Sequence, residues 1–364
     1  MLNTGQGKYW HDWEMQPGMK EKKSKKVYLE MLRLIAIFGV LFCHTENAGV
    51  HHYVETTNPV NYWFGIFCAS VVQYCIPLFF MITGATLLNR EETIFYVYRH
   101  RVLKMVIVTI LTGAFQYLWI FRGHFDSMEF SGYLRLLYVG SMSMPMWFLF
   151  AYISLLLVLP FLQRLVRVIP EKSWFIYLFL GWIFLNDMLA VVEHCLDLGT
   201  SPLEFPILRS SVLCAMTGYF VEYRSEDFFY KKKNIFILCV ISTLLTAVSM
   251  YVNYKSLDTS SFIAYGQLFA PVYALVIFVA VRNLCHRWSM PQKLESLICF
   301  AGAGVFGTYL VEAQLRDVFY PVYVKLGPVV HAYPAAFAWV IVCMLAGILL
   351  FNVIKRIPWI GKLF

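Results

Sequence analysis

Apolar stretches of about 20 residues recur along almost the whole chain, and each is long enough to cross a bilayer as a helix. A backbone in hydrocarbon must satisfy its own hydrogen bonds, so segments of this length and polarity fold as membrane helices. Composition agrees: 59% of the 364 residues are hydrophobic and 14% are charged, against roughly 25% charged in soluble domains. The expected fold is all-α and polytopic, with ten spans at residues 28–50, 61–88, 103–121, 137–163, 173–198, 208–223, 234–252, 260–281, 296–320 and 332–354. The connections are short. The expected organisation is a basic tail (1–27), a single membrane domain (28–356) and a short C-terminal tail (357–364), with no fused catalytic domain. No cleavable signal peptide is expected, because the first 27 residues are polar and basic.

Lys and Arg placement sets the orientation. With both termini in the cytoplasm, 23 of the 30 fall in inner segments, 5 in outer ones, and Arg33 and Arg316 within spans. The net charge of +8 is thus a topology signal. The run K-E-K-K-S-K-K (20–26) suits lipid phosphates. No basic domain stands apart from the spans, which argues against nucleic acid as a partner. The nine cysteines form no CxxC or Cys/His cluster. They read as small buried hydrophobes, and no metal site is expected. HExxH, GxSxG, Walker A and dinucleotide fingerprints are absent from the sequence.

The first span carries two residues that hydrocarbon disfavours. Arg33 and His44 lie in L-R-L-I-A-I-F-G-V-L-F-C-H (32–44). Intramembrane ionisable residues usually face an interior or a water-filled cavity and mark function. Eleven residues make close to three helical turns, so the pair shares one face about 16 Å apart. A guanidinium holds phosphate or carboxylate, and an imidazole moves protons. His44 reads as a general base, or as an interfacial residue at a helix end; Glu46 follows it near the outer mouth.

Other segments support this reading less specifically. Thr83-Gly84 (in F-F-M-I-T-G-A, 79–85) either permits close helix packing or lets a ligand approach the backbone. Arg99, Arg101 and Lys104 form a basic cluster in the expected loop 98–104. Such a cluster binds phosphates or simply marks the inner side. Glu312 and Arg316, in G-T-Y-L-V-E-A-Q-L-R-D (307–317), are spaced to pair across one helical turn. Trp147 opens the fourth span as an aromatic-belt residue. Asp187, Glu193 and His194 are expected at an interface.

Taken in order, these elements resemble the membrane-bound acyltransferase-3 family, integral membrane O-acyltransferases of surface carbohydrates. Y-L-E-M-L-R (28–33) running to His44 is similar to the family's acidic-x-Leu-Arg-x10-His signature. F-F-M-I-T-G-A is similar to F-F-x-x-S-G-F, with Thr83 for Ser. Arg101 and Lys104 take the place of R-x-x-R, M-W-F-L (146–149) resembles the W-F-L span opening, and Y-L-V-E (309–312) resembles Y-L-x-H with Glu312 for His. The resemblance implies acyl-CoA, usually acetyl-CoA, as donor, and a glycan, glycolipid or lipid-linked hydroxyl as acceptor. It implies His44 and Glu312 at the chemistry, and Arg33, Arg101, Lys104, Thr83 and Gly84 at the donor. Glu46, Trp147 and Tyr309 would meet the acceptor. The expected location is the cytoplasmic membrane of a bacterial cell. A transporter or exporter without CoA chemistry is the alternative, separated by acyl-CoA dependence.

Overall fold

The computed structural model describes residues 27–139, 146–169, 171–196, 210–225, 228–255 and 268–361. The regular structure of these residues is all helical, with no strand among them. The helices are α1 (Val27–Cys43), α2 (Pro59–Leu87), α3 (Ile94–Ile120), α4 (Phe130–Val139), α5 (Met146–Val168) and α6 (Lys172–Cys195). They continue as α7 (Ser210–Tyr223), α8 (Lys232–Lys255), α9 (Ala270–Arg287), α10 (Gln292–Leu310), α11 (Glu312–Val330) and α12 (Ala332–Ile354). The N-terminal tail and the outer segment 199–209 lie outside the described residues.

Six of these helices are long and apolar enough to cross a membrane, or seven if the bent pair α10–α11 is one span. α1, with 17 residues, ends at Cys43, short of the expected residue 50. α8 turns Phe236, Ile237, Val240, Ile241 and Leu244 outward, an apolar outer face that suits lipid. The chain is a multi-pass membrane protein.

Three local features depart from the sequence expectation. Residues 98–104 are no loop: they lie inside α3, which carries a π-helical turn at Tyr98–Val102. Residues 130–136, expected as part of a connection, are already helical within Phe130–Val139, and the fourth expected span is described from Met146 to Val168. The ninth span is broken. α10 ends at Leu310, α11 starts at Glu312, and their axes meet at 97°. The break is what puts Glu312 at a helix N-terminus, where its charge opposes the helix dipole favourably.

The core runs through α1, α2, α3, α5, α7, α9, α10 and α12. Small residues set its closest contacts, as membrane helices require in place of a hydrophobic drive. A Cβ on Gly84 would overlap the Ala215 carbonyl, and one on Gly218 would overlap the Met81 carbonyl. α2 and α7 therefore meet backbone to backbone, and neither wall can yield. Gly302 of α10 makes room for Glu30 of α1 in the same way. Gly84→Leu should destabilise the fold by more than the about 1–3 kcal/mol typical of overpacking, because the clash is with main chain. Thermal unfolding in detergent checks this, and an unchanged midpoint would contradict it.

Candidate active site

Two features stand side by side. The first is a cavity of about 580 Å³ between α1, α2, α3, α5 and α10. Arg33, Arg90, Arg101, Lys104 and Lys355 line one end of it, with His100. Two carboxylates pair with three of these cations. Arg33 donates to Glu30 Oε1 at 2.5 Å, one turn back on α1. Arg101 grips Glu92 with both arms of its fork: Nε reaches Oε2 at 2.7 Å, and a second nitrogen reaches Oε1. Arg90 adds a longer contact to Glu92 at 3.8 Å. Burial raises the Glu92 carboxyl, but hydrogen bonds and charge from Arg101 outweigh it and leave Glu92 below the usual carboxylate range. Lys104, one turn after Arg101, has no carboxylate partner among the described residues. The Lys355 ammonium donates to the Ala303 carbonyl.

Thr83 lines the cavity and turns its hydroxyl to the Phe79 carbonyl at 2.9 Å. The other end of the cavity is aromatic. Phe148 packs against Phe79 and Tyr309 with ring centroids 5.9 and 5.3 Å apart. The space grades from cationic to apolar, which suits an anionic head on an uncharged arm.

The second feature is a buried charge cluster at the α10–α11 break. Glu312 has no exposed surface. Its Oε2 faces His44 Nδ1 at 3.2 Å and accepts from Arg316 Nε at 3.0 Å. The His44 approach lies off the alignment of a good hydrogen bond. Oε1 of Glu312 has no hydrogen-bond partner among the described residues. Arg316 also donates from its other arm to the His44 carbonyl, and its own carbonyl accepts from Trp339 Nε1 at 3.2 Å.

His44 sits just past α1, with its N–H still bonded to the Val40 carbonyl at 3.2 Å. The Thr45 hydroxyl donates to Phe42 O at 2.7 Å and accepts from Val50 N at 2.9 Å, which pins the chain as it leaves the helix. A carboxylate behind one imidazole nitrogen leaves the other to move a proton. Tyr309 joins the two features: it lines the cavity and stands three residues before Glu312.

Arg33, Arg101, Lys104, Thr83 and Tyr309 thus meet on the cavity, and His44 meets Glu312. Gly84 packs on Ala215 and is not part of the lining, so its role here is helix packing. Trp147 is half exposed, and its neighbour Phe148 faces the cavity. Glu46 is exposed in a short turn with φ of 48°. Asp187 is buried inside the protein, and accepts the Phe269 N–H at 3.1 Å where α9 begins. Arg90, Glu92, Phe148 and Lys355 were missed from the sequence. Arg90 and Glu92 had a weak signal, as charges just before the basic run. Lys355 had none, because only the packing of α12 on α10 brings it in.

The acyltransferase family model, described as "Acyltransferase domain", matches residues 26–354. The chain belongs to the acyltransferase-3 family. No curated protein and no solved structure matches it significantly. The match spans the His44 cluster and all of the cavity lining but Lys355, so both features belong to the acyltransferase-3 domain.

The Glu92–Arg101 pair predicts a pH signature. A carboxyl whose folded-state value is lowered adds stability above its ordinary range, and this is lost as pH falls through the lowered value. Glu92→Gln should therefore lower the thermal midpoint at pH 7, by the equivalent of about 1–3 kcal/mol for a charged hydrogen bond. The gap to wild type should close as the pH drops below the ordinary carboxylate range. A gap that persists in acid would rule out the pair as its cause.

Proposed function

We propose that this acyltransferase moves an acetyl group from acetyl-CoA to a hydroxyl of a cell-surface glycan, glycolipid or lipid-linked sugar. The observation that carries the reading is the juxtaposition of a cation-ended cavity with a carboxylate-backed histidine. Arg33, Arg101 and Lys104 suit the phosphates of the nucleotide, for which Arg offers a bidentate fork and Lys a point charge. The pantetheine arm then runs towards the aromatic end and the thioester towards His44.

In this reading the acceptor hydroxyl arrives from the side of the membrane opposite the basic end. His44 takes its proton as the oxygen attacks the thioester carbonyl. The new C–O bond forms, the C–S bond breaks, and the proton passes from His44 to the leaving CoA thiolate. Glu312 orients the imidazole and stabilises it while it carries charge. Arg316 holds the Glu312 carboxyl in place from the next turn by donating to its Oε2. An acyl-histidine relay uses the same groups in two steps.

The break between α10 and α11 also suits a carrier, since broken helices form midplane sites in transporters. Acyl-CoA dependence separates the two.

His44→Ala should cut acetyl-CoA turnover by about 10²–10⁴-fold at unchanged folded yield, measured with the purified protein in detergent. Arg33→Ala should instead raise KM for acetyl-CoA and leave turnover at saturation largely intact. Full activity in His44→Ala removes His44 from the mechanism. Failure of wild type to bind or turn over any acyl-CoA turns the assignment towards the carrier.

A further inference from the structure

The aromatic end of the cavity carries an inference about which acyl groups the enzyme accepts, and it rests on the acyl-CoA reading above. We propose that Phe79, Phe148 and Tyr309 form the wall against which the acyl group ends, and that they restrict the donor to a short, uncharged acyl chain.

The cations stand on α1, on the α2–α3 connection, at the start of α3 and just past α12. The lining of α2 runs from Leu87, beside that end, back to Phe79. Eight residues of helix cover about 12 Å. On α10 the lining runs from Gly302, which seats Glu30, to Tyr309, a further seven residues or about 10 Å. Phe79 and Tyr309 therefore stand far from the phosphate-binding cations, within the span of an extended pantetheine arm. None of the lining residues that α2, α5 and α10 contribute is basic.

The wall is tightly built. Phe148 is 6% exposed and Tyr309 is 3% exposed. The Phe148 ring is wedged among Phe79, Phe80, Tyr152 and Tyr309, with centroids 5.9, 5.2, 6.0 and 5.3 Å away. A ring held on four sides cannot swing aside for extra carbons without disturbing its neighbours. Each added methylene must therefore displace packed rings. One methylene at such a wall discriminates by about 10–200-fold. A carboxylated chain such as succinyl would meet aromatic faces without a counter-charge. Because Tyr309 precedes the break by two residues, the wall adjoins the cluster that holds His44.

The test is a donor series of acetyl-, butyryl-, hexanoyl- and succinyl-CoA with the full-length protein in detergent. It compares wild type, Phe148→Leu and Phe79→Leu by kcat/KM. Wild type should prefer acetyl over butyryl by about 10-fold or more. Both variants should raise the butyryl-to-acetyl ratio, Phe148→Leu by about 10-fold. Arg33→Ala should weaken all donors alike and leave the ratio in place. If Phe148→Leu does not fold, Phe79→Leu reads the same ratio from a less buried ring. Unchanged ratios in variants that still turn over acetyl-CoA overturn the wall and leave the donor reading standing. So does a wild type that uses hexanoyl-CoA or succinyl-CoA as well as acetyl-CoA. A folded wild type that turns over none of the thioesters overturns the donor reading and the wall with it.

Discussion

A carboxylate with no exposed surface, inside a membrane-embedded helix bundle, must be compensated where it stands. Glu312 is compensated three ways. Arg316 donates to it from the next turn, His44 faces it from α1, and its place at the start of α11 sets it against free backbone N–H groups. Much of the surrounding structure follows from that requirement. An unbroken helix through residue 311 would bond those N–H groups to its own carbonyls, so the 97° break is what frees them. The second Arg316 arm on the His44 carbonyl ties the end of α1 to α11, and Trp339 on the Arg316 carbonyl brings in α12. His44 is thereby held by main chain beside Glu312, as the proposed proton transfer would require.

The basic end of the cavity follows a related rule. Several cations on one cavity repel each other, and Glu30 and Glu92 offset part of that charge at Arg33, Arg90 and Arg101. The pairing also fixes their rotamers, so a phosphate-bearing ligand meets preset donors and loses less entropy on binding. Lys104 has no carboxylate partner among the described residues. The widened turn at Tyr98–Val102 carries His100 and Arg101 onto the cavity, in keeping with the tendency of π-turns to occur at functional sites.

What the sequence made legible was mostly local. Arg33 and His44 could be placed on one face because a single helix carries both, and Glu312–Arg316 could be paired because four residues separate them. The polytopic character was legible from apolar run lengths. Distant packing was not. Gly84 has the same local surroundings whether a ligand or a backbone approaches it, and the deciding atom is the carbonyl of Ala215, 131 residues away. Hydropathy alone cannot show the break at Val311, since both halves are apolar enough to read as one span. The burial of Asp187 was not legible either, because its partner, the Phe269 N–H, stands at the start of another helix 82 residues on. The donor and acceptor assignments came from resemblance, and the family match supports acyl transfer without naming either molecule.

The central claim is that Glu312 works through His44. A double-mutant cycle in acyl transfer tests it most directly, with wild type, His44→Ala, Glu312→Gln and the double variant measured at saturating acetyl-CoA. If the two residues act as one unit, Glu312→Gln slows wild type but costs nothing further once His44 is gone, so the double variant matches His44→Ala. If the two losses multiply instead, Glu312 acts independently of the histidine, and the account of the buried cluster is contradicted.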